Sequence, residues 1–399
     1  MIERKLLLGD EAIALGAIHA GISGVYAYPG TPSTEITEYI QGHAQEVRSR
    51  WCTNEKTAME AALGMSYAGK RALVCMKHVG MNVAADAFVN SAITGVNGGL
   101  VVLAADDPSM HSSQNEQDSR FYGKFAMIPI LEPSTQQEAY DMMKYAYALS
   151  EEKKLPVLLR VVTRLAHSRA GVVVNDLMPQ NALNPDKERT WVLLPAIARR
   201  QYASLVAKQP DLVESSEHSP YNGMNAFEGK AKLGVIACGI AYNYVMENDP
   251  QSLGIPVLKV SQYPLPEASI KALAAQCESL LVAEDGQPLV EEQVKAILGA
   301  DYALKGRLTG DLPRMGELTP DCVGAALGVN IEQPYTEAQN VMPRPPALCQ
   351  GCGHRDVYDA LNKVAAEYEN ARIFGDIGCY TLGALPPFQA INSCVDMGA

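Results

Sequence analysis

The sequence lacks the features that mark several classes of protein. No uninterrupted apolar run approaches the ~18 residues that a membrane span needs. The opening residues, M-I-E-R-K-L-L-L-G-D, are too short an apolar stretch, and too soon acidic, for a secretory signal. Basic residues are scarce, with 33 Lys and Arg against 45 Asp and Glu and a net charge of -12, and they form no stripe that phosphates could bind. These absences predict a cytoplasmic protein that binds neither membranes nor nucleic acids.

Cysteine is present but is not used as in a secreted scaffold. Nine cysteines in a chain of 399 residues without a signal indicate reduced thiols, a metal site or redox chemistry. The hydrophobic share of 47% and the charged share of 20% are those of an ordinary globular protein. At about 100–200 residues per domain, this length predicts two to four domains.

The first part of the chain alternates between strands and helices. Strands are predicted over 25–28, 51–53, 72–76, 99–105 and 156–163, and helices over 10–20, 55–68, 82–94 and 134–149, with Asp10 and Ser134 as helix caps. The strands are almost continuously apolar, as in a parallel sheet that helices cover on both faces. The fold class is therefore α/β, with doubly wound parallel sheets.

Composition divides the rest of the chain. The predicted division is a first domain (1–170), a connecting region with N-D, N-P and S-P punctuation (171–231), a second α/β domain (232–331), a proline-rich linker (332–347) and a third unit (348–399). In the third unit we expect a helix over 355–368 and a strand over 372–374. Because about fifty residues bury little surface alone, we expect the third unit to be the start of a domain that is cut short.

Three loops of the first domain carry the chemistry that a ligand site needs. The turn Y-P-G-T-P-S-T-E joins a strand to a helix, and its Gly30 and Thr31 would lie at the ligand-binding edge of the sheet. Glu55 stands where the next strand meets its helix. It is either a carboxylate favoured by the helix dipole or a buried group that hydrogen-bonds a cofactor nitrogen. The third loop, K-H-V-G-M-N, could hold a diphosphate or a substrate carboxylate, or be merely structural; its candidate residues are Lys77, His78, Gly80 and Asn82.

The third unit opens with C-Q-G-C-G-H, Cys349 to His354. A C-x-x-C pair followed by His suggests zinc or redox chemistry, but a structural zinc site usually needs four ligands and no second C-x-x-C exists. Gly351 and Gly353 suit a close approach of the backbone to a ligand, as do the glycines of G-D-I-G-C, which ends at Cys379. We therefore assign no metal ligand within this chain.

Taken together, these blocks resemble the thiamine-diphosphate-dependent 2-oxoacid:ferredoxin oxidoreductases, and among them the large, alpha subunits of the indolepyruvate type. The matching stretches run from residue 5 onward, and their combination is far more specific than any one of them. They are L-L-L-G-D-E-A-I-A-L-G-A, Y-P-G-T-P-S-T-E, N-E-K-T-A-M-E-A-A-L-G, K-H-V-G-M-N-V-A-A-D, C-Q-G-C-G-H and G-D-I-G-C-Y-T-L-G.

The resemblance implies a thiamine-diphosphate-binding fold: a pyrimidine-binding domain first, a transketolase-C-terminal-like domain second and a diphosphate-binding domain third. By the match, Glu55 is the catalytic glutamate that activates the cofactor through its pyrimidine ring. Thr31, Lys77 and His78 fall on the substrate-binding segments. The cofactor-binding positions implied are Gly30, Glu55, Gly80, Asn82, Gly351, Cys352, Gly353, His354, Gly378 and Cys379.

The resemblance also implies a reaction and partners. An aryl 2-oxo acid would be oxidatively decarboxylated to its acyl-CoA while ferredoxin is reduced, by a dimer of alpha–beta pairs that includes a smaller beta subunit. The family's Mg²⁺ signature and its two 4Fe–4S cluster motifs are expected beyond residue 399. We therefore expect the 399 residues alone to be inactive.

Two other interpretations stay open at this point. One is a sibling enzyme that acts on pyruvate or another 2-oxo acid, since no motif reports the volume of the substrate pocket. The other is a non-catalytic thiol or metal protein that uses Cys349 and Cys352, which would leave the three sheet-edge loops unexplained.

Overall fold

A computed structural model of the protein describes residues 3–185, 191–331, 340, 342 and 345–396. The chain divides into two compact units, residues 1–331 and residues 332–399. Among the described residues, no helix combines the length and the apolar character that crossing a lipid bilayer requires.

The first unit alternates between strands and helices along most of its length. Its strands are β1 (Arg4–Leu8), β2 (Gly24–Ala27), β3 (Arg48–Trp51), β4 (Ala72–Lys77), β5 (Leu100–Asp106), β6 (Ile130–Leu131), β7 (Val157–Val162), β8 (Arg169–Val173), β9 (Gly223–Met224), β10 (Ala231–Cys238), β11 (Val257–Val260), β12 (Gln262–Tyr263), β13 (Cys277–Ala283) and β14 (Leu304–Lys305). Its helices are α1 (Gly9–His19), α2 (Thr34–His43), α3 (Glu55–Tyr67), α4 (Gly80–Thr94), α5 (Arg120–Ala126), α6 (Gln136–Lys153), α7 (Thr163–Ala166), α8 (Pro195–Ala207), α9 (Gln209–Glu217), α10 (Ala241–Met246), α11 (Glu267–Ala274), α12 (Leu289–Leu298) and α13 (Pro320–Leu327).

The larger sheet has the strand order β12-β6-β7-β5-β4-β2-β3. All of its neighbouring strands are parallel except β12, which pairs antiparallel with β6. The central strands β4, β5 and β7 are buried along their whole length, which is why their sequences are nearly all apolar. This confirms the predicted α/β fold with a parallel sheet.

Side chains alternate between two helical layers across this sheet. Along β4, Leu73 and Cys75 pack into one core with buried residues of α1, α2 and α6. Val74 and Met76 point the other way and pack with buried residues of α3 and α4. The period of two along the strand therefore separates the two layers.

The smaller sheet has the order β14-β13-β10-β11-β9, parallel except for the edge strand β9. The segment directly after β11 joins the larger sheet instead. Its residues Gln262 and Tyr263 form β12, which pairs with Leu131 and Ile130 of β6. The predicted division of this unit into residues 1–170, 171–231 and 232–331 stays a prediction.

Several elements differ from the sequence prediction. Asp10 is not the cap of α1 but lies in its first turn, and α6 is capped by Thr135, whose side chain accepts a hydrogen bond from the Glu138 amide, rather than by Ser134. The predicted connecting region contains α8 and α9, whose mainly exposed faces bury little more than Leu205 and Leu212 and so show no apolar periodicity.

Two further elements in the first part of the chain were missed. The ribbon of β1 and β8 is antiparallel and joins residues 4–8 to 169–173. Helix α5 lies in what appeared to be a polar loop. Both depend on distant partners that a local pattern does not report.

The second unit, in its described residues, has a helix, α14 (Gly353–Ala365), and two short parallel strands, β15 (Phe374–Gly375) and β16 (Ser393–Cys394). The helix begins and ends before the predicted 355–368, and the strand lies after most of the predicted 372–374. A small core contains Leu348, Tyr358, Phe388 and Ala390. Most of the predicted linker, 332–347, lies outside the described residues.

Candidate active site at the carboxyl edge of the first sheet

The candidate site lies where the parallel strands of the larger sheet end. The loops after β2, β3, β4 and β5 leave the sheet at the same edge because the strands are parallel. In open α/β sheets, this carboxyl edge is where ligands bind. All three loops that the sequence predicted for the first domain emerge here.

Glu55 begins helix α3 directly after β3. Asn54 caps this helix, accepting a hydrogen bond of 2.9 Å from the Thr57 amide. Only 2% of Glu55 is exposed, and its Oε2 atom has no hydrogen-bond partner among the described residues. Burial raises the pKa of the Glu55 carboxyl, because removal from water disfavours the charged form. A buried carboxyl with a free oxygen and a raised pKa can share a proton with a ligand.

Two pairs of predicted site residues come together at this edge. A Cβ atom added to Gly80 would lie 2.6 Å from Oε1 of Glu55, so the start of α4 packs directly on this carboxyl. A Cβ atom on Gly30 would lie 3.3 Å from the Cβ of Lys77, so the turn after β2 lies against the end of β4. All four residues were predicted from the sequence to belong to one site. In the structure Gly80 lies beside Glu55, and Gly30 lies beside Lys77.

Lys77 and His78 are both buried and face the loop after β5. The Nζ atom of Lys77 donates a 2.6 Å hydrogen bond to the Ser112 carbonyl, and Nε2 of His78 lies 3.2 Å from the Asn115 carbonyl. Burial lowers the pKa of Lys77, and the nearby Asp107 acts against this shift. The Nδ1 atom of His78 is buried without a partner in the described part of the chain, which leaves it available to a ligand.

Thr31 and Asn82 are exposed at the same edge. The hydrogen bonds that hold the turn after β2 come from Ser33, whose hydroxyl donates to the Gly30 carbonyl, and from Thr34, whose hydroxyl oxygen accepts from the Gly30 amide. Asn82 accepts a hydrogen bond from the Tyr122 hydroxyl.

Sequence reasoning missed Asp107, which holds the loop after β5. Its carboxylate accepts hydrogen bonds from the Ser112 amide at 2.9 Å, the Ser113 hydroxyl at 2.5 Å and the Thr163 hydroxyl at 2.9 Å. The available signal was a pair of aspartates directly after an apolar strand, in A-A-D-D-P. Because Ser112 also binds Lys77, Asp107 fixes the wall of the site that Lys77 contacts.

Sequence reasoning also missed a group of buried charged residues beside the site, which we call the arginine cluster. Its members are Arg120, Arg160, Arg307, Asp106, Asp118, Glu132, Glu284 and Asp285. Arg160 interrupts the apolar strand V-L-L-R-V-V, which is the signal that could have revealed it.

The arginine cluster joins the two sheets of the first unit. Arg160 donates 2.7 Å hydrogen bonds to Oδ2 of Asp106, at the end of β5, and to the carbonyl of Asp285, just after β13. Arg120 lies 2.5 Å from Oδ2 of Asp118 and 2.9 Å from Oε2 of Glu284. Burial raises the pKa of Glu284 to about 7 in spite of Arg120. The cluster therefore ties the loops of the first sheet to the second sheet.

The predicted residues of the second unit surround the start of α14. Sγ of Cys352 lies 3.3 Å from Nδ1 of His354, and Gly351 has a φ of +75°, a conformation that favours glycine. A Cβ atom on Gly353 would contact nothing within 4 Å. In the described residues, the cysteines here form no group of three ligand atoms close enough for a metal ion.

The remaining two predicted residues follow β15. Gly378 has extended backbone, and a Cβ atom there would lie 2.5 Å from the Tyr380 ring. Cys379 is exposed.

The first unit fits thiamine diphosphate on its own geometry. Oε2 of Glu55 is a free buried oxygen that a pyrimidine ring nitrogen could hydrogen-bond. The absence of a side chain at Gly80 leaves the backbone of α4 against this carboxyl. Nδ1 of His78 adds a second free polar atom at the same edge.

Comparisons with known proteins agree with this geometry. The family model of the thiamine-diphosphate-binding domain of pyruvate flavodoxin/ferredoxin oxidoreductases matches residues 15–210. Indolepyruvate oxidoreductase subunit IorA of Archaeoglobus fulgidus is 41% identical over 420 aligned residues, which cover 100% of this chain and 67% of the relative. The chain thus spans about two thirds of the length of this relative.

Solved structures share the fold at low identity. The 2-oxoglutarate:ferredoxin oxidoreductase of Magnetococcus marinus superposes with a TM-score of 0.65 and 16% identity, covering 82% of this chain and 65% of that one. A split-gene transketolase in its inactive tetramer superposes with a TM-score of 0.52 and 15% identity, covering 80% of this chain and 95% of that one. The thiamine-diphosphate-binding fold predicted from the sequence is confirmed. The chain belongs to the family of indolepyruvate oxidoreductase IorA subunits, within the thiamine-diphosphate-dependent 2-oxoacid:ferredoxin oxidoreductases.

Proposed function

We propose that this chain provides the cofactor-activating part of an indolepyruvate:ferredoxin oxidoreductase. One aryl 2-oxo acid, one CoA thiol and two oxidised ferredoxins would give the arylacetyl-CoA, carbon dioxide, a proton and two reduced ferredoxins. The observation that carries the proposal is the Glu55 carboxyl, which is buried and has an unpartnered oxygen at the ligand-binding edge of the sheet. Membership of the IorA family supports the choice of substrate class.

Thiamine diphosphate supplies the electron sink that the loss of carbon dioxide requires. Glu55 would hold a proton at its Oε2 atom and share it with the pyrimidine ring. The raised pKa of Glu55 favours this role, because it increases the protonated fraction near neutral pH. Gly80 lets the start of α4 pack against this carboxyl and hold it in place, because a Cβ atom there would lie 2.6 Å from Oε1 of Glu55.

The substrate would lie at the same edge of the sheet, beside the loop after β4. His78 offers the free Nδ1 atom to a substrate oxygen, and Lys77 supplies positive charge close to it. Thr31, exposed on the turn after β2, would contact the same oxygen atoms. Asn82, exposed at the same edge, would contact the cofactor. For the second-unit residues Gly351, Cys352, Gly353, His354, Gly378 and Cys379, a cofactor-binding role stays a prediction from the family resemblance.

The partners are proposed on the same basis. They are a smaller beta subunit, ferredoxin and CoA, in a dimer of alpha–beta pairs. Mg²⁺ and two 4Fe–4S clusters would complete the cofactor set of the whole enzyme.

The test is an activity assay of the whole gene product assembled with its partner subunit. Reduction of ferredoxin by indolepyruvate and CoA should be saturable and faster than with pyruvate or 2-oxoglutarate. Glu55→Gln should lower kcat by about 10²–10⁴-fold, the range for loss of a positioned acid or base. The matched control is Glu60→Gln, an exposed carboxylate on the same helix, which should leave the rate unchanged.

Three results would contradict the proposal. An unchanged rate in Glu55→Gln would remove the role of Glu55. Faster turnover of pyruvate or 2-oxoglutarate would assign the chain to a sibling activity. Stoichiometric zinc that is lost on replacing Cys349 and Cys352, without turnover of any 2-oxo acid, would favour the thiol or metal protein.

A further inference from the structure

A second buried carboxylate without a hydrogen-bond partner lies on the other helical layer of the first unit. Asp10 has no exposed surface, and neither of its carboxylate oxygens has a partner in the described part of the chain. It belongs to α1, whose buried residues share a core with α2 and α6, whereas Met59 and Ala62 of α3 pack in the opposite layer. Helix α1, which carries Asp10, therefore packs on the opposite face of the sheet from α3, which carries Glu55.

Two further groups with ligating atoms face Asp10. Nε2 of His167 lies 3.8 Å from Oδ2 of Asp10 and 3.7 Å from Oε1 of Glu35. All three ligand atoms lie within 4.8 Å of one another. These separations are too long for hydrogen bonds, so the three groups surround a common point instead of satisfying one another.

The local fold brings these residues together from distant parts of the sequence. A Cβ atom at Gly9 would collide with the Leu165 carbonyl, so only glycine lets the start of α1 pack on the short helix α7. The Gly9 amide also donates a 3.1 Å hydrogen bond to the Ser168 carbonyl. His167 follows α7 directly and is thereby placed beside Asp10.

His167, when protonated, is the cation that lies within ion-pair distance of both carboxylates. Arg169 is another nearby cation, but it pairs at 3.1 Å with Glu11, which also accepts a hydrogen bond from the Leu8 amide. Within the described ranges, no Lys or Arg pairs with Asp10 or Glu35. Burial, followed by the charges of Glu35 and Glu11, raises the pKa of Asp10.

We propose that Asp10, Glu35 and His167 bind one divalent transition-metal ion, with Zn²⁺ as the best match. Tetrahedral Zn²⁺ with bonds of 2.0–2.2 Å places its ligand atoms about 3.4 Å apart, close to the observed 3.7 and 3.8 Å. An octahedral ion with bonds near 2.1 Å would require about 3.0 Å between adjacent ligands, so Mg²⁺ fits less well. An imidazole among the ligands also favours Zn²⁺ over Mg²⁺ or Ca²⁺.

The site is accessible, and its three protein ligands would leave the fourth position of a tetrahedral ion to a water molecule. The side chains of His167 and Glu35 are 34% and 39% exposed, so a hydrated ion can reach Asp10 from the solvent. Three protein ligands and one open position are the arrangement of zinc sites that bind water or an exchangeable ligand.

The test is a Zn²⁺ titration of the chelator-treated, full-length protein by calorimetry, with Mg²⁺ titrated in parallel. We expect one equivalent of Zn²⁺ to depend on this site. Asp10→Asn and His167→Gln should each lose that equivalent or weaken it by at least about tenfold. Glu35→Gln, which changes a half-exposed side chain and does not threaten folding, should weaken it as well.

The matched controls lie on the same helix as Glu35. His43→Gln and Glu38→Gln change an exposed histidine and an exposed carboxylate of α2 and should bind Zn²⁺ as the unchanged protein does. Co²⁺ should give the absorption of a tetrahedral nitrogen and oxygen site that disappears in His167→Gln. A sulfur-to-metal charge-transfer band alone would instead identify the cysteines.

The proposal is overturned if Asp10→Asn, His167→Gln and Glu35→Gln all bind as much Zn²⁺, with the same affinity, as the controls. It is also overturned if Mg²⁺ competes with Zn²⁺ at equal concentration. Neither result depends on turnover, so the outcome is independent of the proposed oxidoreductase activity.

Discussion

Arg160 and Glu55 are both buried charged residues at the carboxyl edge of the larger sheet, yet their surroundings differ. Arg160 donates hydrogen bonds to the Asp106 carboxylate and to the Asp285 carbonyl, and it lies beside Glu132. Oε2 of Glu55 has no partner among the described residues. Asp10, on the opposite helical layer, resembles Glu55 in this respect.

The difference separates buried charges that hold the fold from buried charges to which we assign a ligand. A buried ion pair destabilises the protein strongly when one partner is removed, because the other charge is left uncompensated. A buried group that is already unpartnered costs about 1–3 kcal/mol of stability in the folded protein. Its replacement should therefore make the chain more stable while it removes a binding function.

The largest expected effect comes from breaking the paired region. Arg160→Met should lower the free energy of unfolding by about 3–5 kcal/mol, because Asp106 loses its counter-ion without access to water and Glu132 keeps only Arg120. Urea denaturation followed by circular dichroism measures this change. A loss below about 1 kcal/mol would mean that the arginine cluster does not hold the sheets together.

The next effect tests the close packing around Glu55. Gly80→Ala should destabilise the protein by about 1–3 kcal/mol, because the new methyl group would lie 2.6 Å from the Glu55 carboxylate. The control is Gly64→Ala in helix α3, where a Cβ atom contacts nothing within 4 Å. That change should be neutral or should stabilise by up to about 1 kcal/mol. Equal effects of the two substitutions on the urea midpoint would show that Gly80 has no special role.

The unpaired carboxyl should respond in the opposite direction. Glu55→Gln should raise the free energy of unfolding at pH 7 by about 0.5–2 kcal/mol. The pKa of Glu55 is raised in the folded state above its ordinary 4.5, so the folded protein binds the proton more tightly than the unfolded chain. Its contribution to stability is therefore present below pH 4.5 and is lost as the pH rises through the raised pKa.

The pH dependence of stability checks this interpretation of Glu55. Stability profiles of the two proteins, taken from pH 4 to pH 8 by thermal unfolding, should converge at the acidic end and separate toward neutral pH. A variant that is less stable than the unchanged protein at pH 7 would contradict the interpretation of Glu55 as an uncompensated group.

The smallest expected effect on stability comes from removing an exposed ion pair. Lys271 and Glu267 form an ion pair of 3.2 Å on α11, and their side chains are 55% and 50% exposed. Lys271→Ala should change the free energy of unfolding by less than about 0.5 kcal/mol, because water screens the pair. A loss comparable with that of Arg160→Met would mean that burial does not explain the difference between the two regions.

Much of the fold could be predicted from the sequence, because its central strands carry a local signal. The apolar runs of β4, β5 and β7 and the glycines that end the helices α3 and α4 were sufficient to predict a parallel sheet. Helices α8 and α9 were missed, since they bury few residues. Strand β12 was missed because it gains its partner, β6, from a segment more than a hundred residues away.

The site was predicted in part, for a related reason. Glu55, Lys77 and His78 follow strands of the same sheet, so their positions could be inferred from chain order and topology. Asp107 and Arg160 act through hydrogen bonds to loops whose course the sequence does not specify.

The most direct test of the central account is the exchange rate of the thiazolium C2 proton of bound thiamine diphosphate. It can be followed by acid quench in deuterium oxide and nuclear magnetic resonance, using the whole gene product with its partner subunit. At saturating cofactor and Mg²⁺, Glu55→Gln should slow this exchange by at least about 100-fold, whereas Glu60→Gln should leave it unchanged. Equal exchange rates in Glu55→Gln and the unchanged protein would contradict the assignment of the unpaired Glu55 carboxyl to cofactor activation.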